Sequence, residues 1–239
     1  MRQVLVTGGG SGIGRAIAKA FAEAGDHVTI CGRRIEALQE TAQGHGMELR
    51  QADVTDEAAV TALCETGFDV VVANAGIARA AKLADLSLTD WNDTLNVTLT
   101  GVFLTFRAAL PKMANGGRLI AVASTASLQG GATLAAYSAA KHGVLGLVRS
   151  TAKEVARSGI TCNAICPGFV DTEMAADAAA GVAQKFQVDE AKAMEMIVAA
   201  NPMRRLIAPE EVAATALFLA SPGAASINGH ALSVSGGEI

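Results

Sequence analysis

Short aliphatic and β-branched runs alternate along the chain with longer segments whose apolar positions recur every three to four residues. The first run, over 4–7, leads into a glycine-rich stretch. Helical periodicity then carries Ile13, Ile17, Ala20 and Phe21 to a stop at Gly25. The same reading predicts further strands over 27–31, 47–51, 68–73, 118–123, 160–166 and 231–234. It predicts helices over 35–43, 56–65, 90–113, 136–158 and 209–220. The 56–65 helix opens on acidic residues suited to its N-terminus, and the 209–220 helix has proline in its first turn. Residues 172–201 are alanine-rich and helical in character, with no clear strand. Strands alternating with helices imply a parallel sheet covered on both faces: a doubly wound, Rossmann-like α/β fold. No linker or internal repeat divides the 239 residues, so 1–239 reads as one domain.

Composition narrows the function classes. Hydrophobic residues make up 51% and charged residues 18%, enough to bury a core, which sets disorder aside. The net charge of −4 argues against nucleic acid held on a basic face. The opening apolar run is too short for a secretory signal, and the uncharged stretches 119–140 and 212–237 are broken by Ser, Thr and Gly, so no membrane association is expected. Cys31, Cys64, Cys162 and Cys166 are scattered, and none of the four histidines is placed to complete a metal site with them. Reduced, buried thiols and a cytoplasmic location are the expectation, with no metal.

The candidate chemistry begins where the first strand runs into Thr7-Gly8-Gly9-Gly10-Ser11-Gly12-Ile13-Gly14 and a helix follows. Glycines here let the backbone turn sharply and approach a pyrophosphate, and the helix N-terminus offers free N–H groups and positive dipole. With its Gly-x-x-x-Gly-x-Gly spacing after Thr7, the chain resembles the short-chain dehydrogenase/reductase family, and the resemblance extends over nearly the whole length. Asn74-Ala75-Gly76 matches the family's loop after the fourth strand. Tyr137-Ser-Ala-Ala-Lys141 matches its Tyr-x-x-x-Lys signature, and Ser124 stands thirteen residues before Tyr137, where the family keeps a catalytic serine.

The resemblance implies a nicotinamide dinucleotide. It assigns Thr7, Gly8, Gly10, Ser11, Gly12, Ile13 and Gly14 to the phosphates, and Asp53 with Val54 to the adenine. Asn74, Ala75 and Gly76 match the family's cofactor-binding Asn-Ala-Gly loop, and Pro167, Gly168, Val170 and Thr172 belong to the segment that holds the nicotinamide end. At the end of the second strand, Gly32 stands where an NAD-type enzyme carries an acidic residue, and Arg33 follows. A guanidinium there suits a 2′-phosphate, so NADP(H) is favoured, with NAD(H) as the alternative.

Tyr137 and Lys141 lie four apart on a helix and so share a face. Reduction of a ketone needs a proton for the forming alkoxide. An adjacent ammonium and an oxidised nicotinamide are both expected to lower the phenol's pKa from about 10. Ser124 is expected to hydrogen-bond the substrate oxygen, and Lys141 also to hold the nicotinamide ribose.

Three positions depart from the family pattern. Counting back from Gly101-Val102-Phe103 puts Thr98 where the family has a catalytic asparagine, and Asn96 lies two residues early, on another helix face. Thr98 is expected to keep that position's backbone role, holding a water against the lysine. Ala73 and Ser235 are the milder departures.

Residues 172–201 are expected to form a substrate lid, with Met174, Phe186, Val188, Met194, Met196 and Ile197 as its apolar side chains. The runs 141–144 and 164–170 resemble β-ketoacyl and aromatic-polyketide ketoreductases and 3-hydroxybutyrate dehydrogenases. The implied reaction is reduction of a 3-oxoacyl thioester, or alternatively oxidation of a 3-hydroxybutyrate-type or other small alcohol. A catalytically impaired nucleotide-binding regulator is the reading from another class. By resemblance, the chain is expected to form a homotetramer.

Overall fold

The computed structural model describes all of residues 1–239. Seven strands, β1 (Gln3–Thr7), β2 (His27–Gly32), β3 (Glu48–Gln51), β4 (Val70–Ala73), β5 (Arg118–Val122), β6 (Thr161–Pro167) and β7 (Ala231–Val234), form one sheet. Every pairing is parallel, in the order β3-β2-β1-β4-β5-β6-β7. The chain winds outward one way from β1 to β3 and the other way from β4 to β7. The crevice that accepts a ligand in such sheets therefore opens between the carboxyl ends of β1 and β4.

Side chains alternate across the sheet with period two, and each set meets its own layer of helices. Leu5, Val71, Leu119 and Cys162 face a core completed by Val102 and Phe106 of α5 (Gly101–Ala109) and Val144 and Val148 of α6 (Ala135–Val155). Val4, Val6, Val72, Ile120 and Ile165 face the opposite core. There they meet Ile17 and Phe21 of α1 (Gly12–Glu23), Leu38 of α2 (Ile35–Ala42), and Val212, Ala216 and Leu219 of α9 (Pro209–Leu219). Strands buried on both faces read as continuous apolar runs, which is why they were visible in the sequence. All four cysteines are buried and unpaired.

Helix ends follow local chemistry. Asp56 caps α3 (Glu57–Leu63), its carboxylate accepting from the N–H groups of Ala58 and Ala59 at 2.9 and 3.2 Å. Glu211 reaches back to the Ala208 N–H at 2.8 Å at the start of α9. Where the pattern predicts one helix over 90–113, the structure has α4 (Leu88–Leu95), a π-helical turn over Asn96–Thr100, α5, and a short 3-10 end over Leu110–Lys112. Where it predicts an undivided helical segment over 172–201, there are two helices, α7 (Glu173–Phe186) and α8 (Glu190–Val198). They part at Gln187, whose φ of 54° is left-handed. Both pack through a small core of their own around Ala179, Ala193 and Ile197. No helix is long and apolar enough to cross a membrane.

Candidate active site

At the carboxyl end of β1 the chain turns back on itself through Gly8, whose φ is +67°. The N–H groups of Gly8 and Gly9 both point at the Cys31 carbonyl, at 2.8 and 3.2 Å. In the first turn of α1, a Cβ on Gly14 would stand 2.2 Å from the Gly8 carbonyl oxygen, so only glycine lets loop and helix close this tightly. Ser11 gives α1 no side-chain cap, which leaves the first-turn N–H groups for a ligand. Gly8, Gly10 and Ser11 line a pocket of about 100 Å³ with Gly32, Arg33 and Arg34. Neither guanidinium is engaged in an ion pair. A glycine cradle, an uncapped helix N-terminus and two uncommitted cations fit the phosphates of a dinucleotide.

Asp53 accepts from the Thr55 N–H and hydroxyl at 2.9 and 2.8 Å. The first of these bonds does most to hold its carboxyl below the usual range, and the charge of Arg33 adds a smaller pull. Val54 is buried beside it, against Gly101.

The loop after β4 is stitched to β1 by one residue. The Thr7 hydroxyl accepts from the N–H groups of both Asn74 and Ala75, at 3.0 and 3.1 Å. The Asn74 amide donates to the Thr7 carbonyl at 3.0 Å. From the far side of the crevice, Gly168 bonds its N–H to the Val234 carbonyl at 3.1 Å, and Val170 bridges to Ile207. Thr172 stands just before α7 without capping it, its hydroxyl donating instead to the Val170 carbonyl at 3.2 Å. Its methyl group is 3.1 Å from where a Cβ on Gly12 would lie, so the 167–172 segment closes directly over the glycine loop.

Ser124 follows β5 and caps a 3-10 turn over Thr125–Ser127. Its Oγ accepts from the Ala126 N–H at 3.1 Å, which leaves the hydroxyl hydrogen free to donate. Tyr137 lies beside it in the first turn of α6, partly buried. Burial pushes the phenol above its ordinary value, against a smaller downward pull from the Ser124 hydroxyl. The expected lowering combines the Lys141 ammonium with an oxidised nicotinamide; in the protein alone, burial outweighs the downward pull. The Lys141 Nζ is 5.6 Å from the ring centroid.

Lys141 is itself buried, with a pKa pulled down by that burial to about 8. Its Nζ donates to the Val122 carbonyl at 2.7 Å, and two hydrogens remain. The bond to Val122 was not foreseen, because a backbone acceptor leaves no mark in the sequence.

Thr98 is fully buried, whereas Asn96 is exposed, as their different helix faces require. The Thr98 hydroxyl accepts from the Ile77 N–H and donates to the Ile77 carbonyl, both at 3.1 Å, and so ties the π-helical turn to the loop after β4. A Cβ on Gly76 would lie 3.6 Å from the Thr98 Oγ1 and 3.7 Å from the Lys141 Nζ. Gly76 therefore keeps open the space between these two side chains. The candidate residues gather along one crevice, with the glycine loop and arginines at one end and Ser124, Tyr137 and Lys141 at the other.

Of the lid residues, Ile197, Val188 and Met194 pack in the small core between α7 and α8, while Met174, Phe186 and Met196 are exposed.

Comparison with known proteins agrees with this geometry. A family model described as enoyl-(acyl carrier protein) reductase matches residues 8–238. The D-beta-hydroxybutyrate dehydrogenase of Cupriavidus necator is 37% identical over 253 residues, covering 100% of this chain and 98% of that protein. The 3-oxoacyl-[acyl-carrier-protein] reductase of Aquifex aeolicus is 36% identical, covering 98% and 95%. A crystal structure of an actinorhodin polyketide ketoreductase variant with NADPH superposes with a TM-score of 0.95. It is 36% identical, and the match covers 99% of this chain and 96% of that one.

Proposed function

The chain belongs to the short-chain dehydrogenase/reductase family, and from that premise we propose that it reduces a 3-oxoacyl thioester to the 3-hydroxyacyl thioester with NADPH. The observation that carries this reading is the meeting of Ser124, Tyr137 and Lys141 beside the glycine cradle. Two hydroxyls converging on one point fit a carbonyl oxygen, which accepts two hydrogen bonds.

A nicotinamide held there would supply a hydride to the carbonyl carbon. Ser124 donates its free hydrogen to the substrate oxygen and fixes its place. Tyr137 gives the same oxygen a proton as the alkoxide forms, and the Lys141 ammonium stabilises the tyrosinate left behind. The remaining Lys141 hydrogens suit the nicotinamide ribose. Thr98 acts through Ile77, keeping the Gly76 loop in place beside Lys141. Thr7, Gly8, Gly10, Ser11, Gly12, Ile13 and Gly14 hold the phosphates; Asp53 and Val54 bound the adenine. Asn74, Ala75 and Gly76, with Pro167, Gly168, Val170 and Thr172, enclose the nicotinamide end.

Arg33 takes the 2′-phosphate, and its lack of a protein counterion supports NADP(H) over NAD(H). Changing Arg33 to Ala is expected to weaken NADPH binding by about 10- to 100-fold and leave NADH binding within a few-fold. Fluorescence titration reads both constants, and tighter NADH than NADPH binding to the unaltered protein would reverse the assignment.

Helices α7 and α8 serve as the lid, with the exposed Met174 and Met196 facing the acyl chain. We place the protein in the cytoplasm, where four buried free thiols stay reduced, and infer a homotetramer. Exposed Phe103 on α5 and Phe218 on α9 support assembly through helix faces. The test is loss of NADPH absorbance with acetoacetyl thioesters, with the product identified as the 3-hydroxyacyl thioester. Binding of NADPH without turnover on any ketone would favour a nucleotide-binding regulator instead.

A further inference from the structure

At the amino ends of the strands, across the sheet from the crevice, lies a cavity of about 410 Å³. Its walls are Arg2, Asp69, Arg118, Ala220, Pro222 and Ala225. The two arginines in it differ in how they are satisfied. Arg2 is fully engaged: Nε and Nη2 bond Asp26, and Nη1 donates to the Ala220 carbonyl at 2.7 Å. Arg118, the first residue of β5, is only 8% exposed and has no carboxylate partner. Its Nη1 alone is used, on the carbonyls of Gly116, Gly117 and Gly159.

Nη2 makes no hydrogen bond within the chain, and Nε is buried without a partner. Arg118 thus has no acceptor within the chain along its Nε–Nη2 edge; Nε is closed off, and Nη2 is the charged donor left for an oxyanion. Burial and the nearby Arg2 both work against its charge, so an anion at this place relieves a real cost. Asp69 supplies the complement. One of its oxygens accepts from the Gln3 N–H at 2.8 Å, and the other has no partner. Ala220, Pro222 and Ala225 give the cavity an apolar side.

We propose that this cavity is a second binding site, for a small organic carboxylate that also carries a hydrogen-bond donor. Arg118 holds the carboxylate and Asp69 accepts from the donor, while the ligand's carbon skeleton lies on the Ala220–Pro222–Ala225 side. A strand rises about 3.3 Å per residue, so this site is on the order of 20 Å from Ser124. It is separate from the nucleotide crevice.

Lactate is the probe, with lactamide as its uncharged counterpart, and titration calorimetry on the whole protein is the readout. The proposal expects saturable lactate binding, no lactamide binding, and lactate binding weakened by at least about tenfold in Arg118→Gln. Because Arg118 also ties three loop carbonyls, that variant risks misfolding. Ala225→Asp leaves those bonds alone and sets a carboxylate at the cavity wall. It is expected to abolish lactate binding while ketone turnover stays unchanged. Absence of saturable lactate binding, or unchanged binding in Ala225→Asp, overturns the proposal.

Discussion

At Thr98, one hydroxyl ties the π-helical turn to the loop after β4. It both donates to and accepts from the backbone of Ile77. An asparagine amide has a donor and an acceptor of its own, so Thr98→Asn is expected to change turnover by less than about tenfold. A hundredfold gain in steady-state assays would show that the natural proton relay is impaired. Thr98→Val keeps the shape but leaves two backbone groups unpaired. It is expected to cost roughly 1–3 kcal/mol in urea denaturation, accompanied by a loss of turnover.

Lys141 gives a pH signature. Its pKa falls from 10.5 in the unfolded chain to about 8 in the fold. Below pH 8 both states carry the proton, and burying the charge counts fully against stability. As pH rises from 8 to 10.5, the folded state loses the proton first and the penalty fades. Lys141→Met is therefore expected to gain stability over the unaltered chain near pH 7, and that advantage should shrink by roughly 2–4 kcal/mol by pH 10.5. Urea melts without cofactor at the two pH values check this. An advantage that does not vary with pH would mean the amine is not held in a desolvating site.

Among the elements, the junction of β1 and α1 has the least freedom. The Gly14 backbone lies so near the Gly8 carbonyl that an added methyl group must push loop and helix apart. Gly14→Ala is expected to weaken NADPH binding by about 10- to 100-fold with helix content preserved, measured by fluorescence titration and circular dichroism. Unchanged affinity would show that the loop adjusts freely.

This junction was legible in the sequence because strand, glycines and helix follow one another within a dozen residues. So were the central strands, whose burial on both faces writes itself as apolar runs. The catalytic spacing was legible for a similar reason, since four residues on a helix return to one face. What the sequence hid depends on contacts with distant backbone. The π-helical turn at Asn96–Thr100 is held in part by Ile77 and packs beside Val54, and neither pairing leaves a periodic trace. The break between α7 and α8 rests on a left-handed Gln187, a residue with no strong preference for that conformation. The helix puts the Lys141 amine on the face of Tyr137, while the burial that raises the phenol is set by residues distant in the chain, Ser124 and Cys166 among them.

Across the whole molecule, the winding of the sheet separates tasks. The carboxyl ends of β1, β4, β5 and β6 bring the glycine cradle, the Asn74 loop, Ser124 and Pro167-Gly168 to one crevice, and α6 delivers Tyr137 and Lys141 into it. Burial raises the Tyr137 phenol more than the Ser124 hydroxyl lowers it. In the proposed reaction, the positive charge that would develop on the nicotinamide as it is oxidised favours the tyrosinate and so would join hydride and proton transfer. In the proposed function the glycine cradle holds the dinucleotide and Tyr137 delivers the proton, with Lys141 serving both.

Tyr137→Phe separates these two tasks most directly. With acetoacetyl thioester as substrate, the account predicts an NADPH dissociation constant within a few-fold of the unaltered protein and turnover lower by about 10²- to 10⁴-fold. Turnover that survives the loss of this single hydroxyl would contradict it.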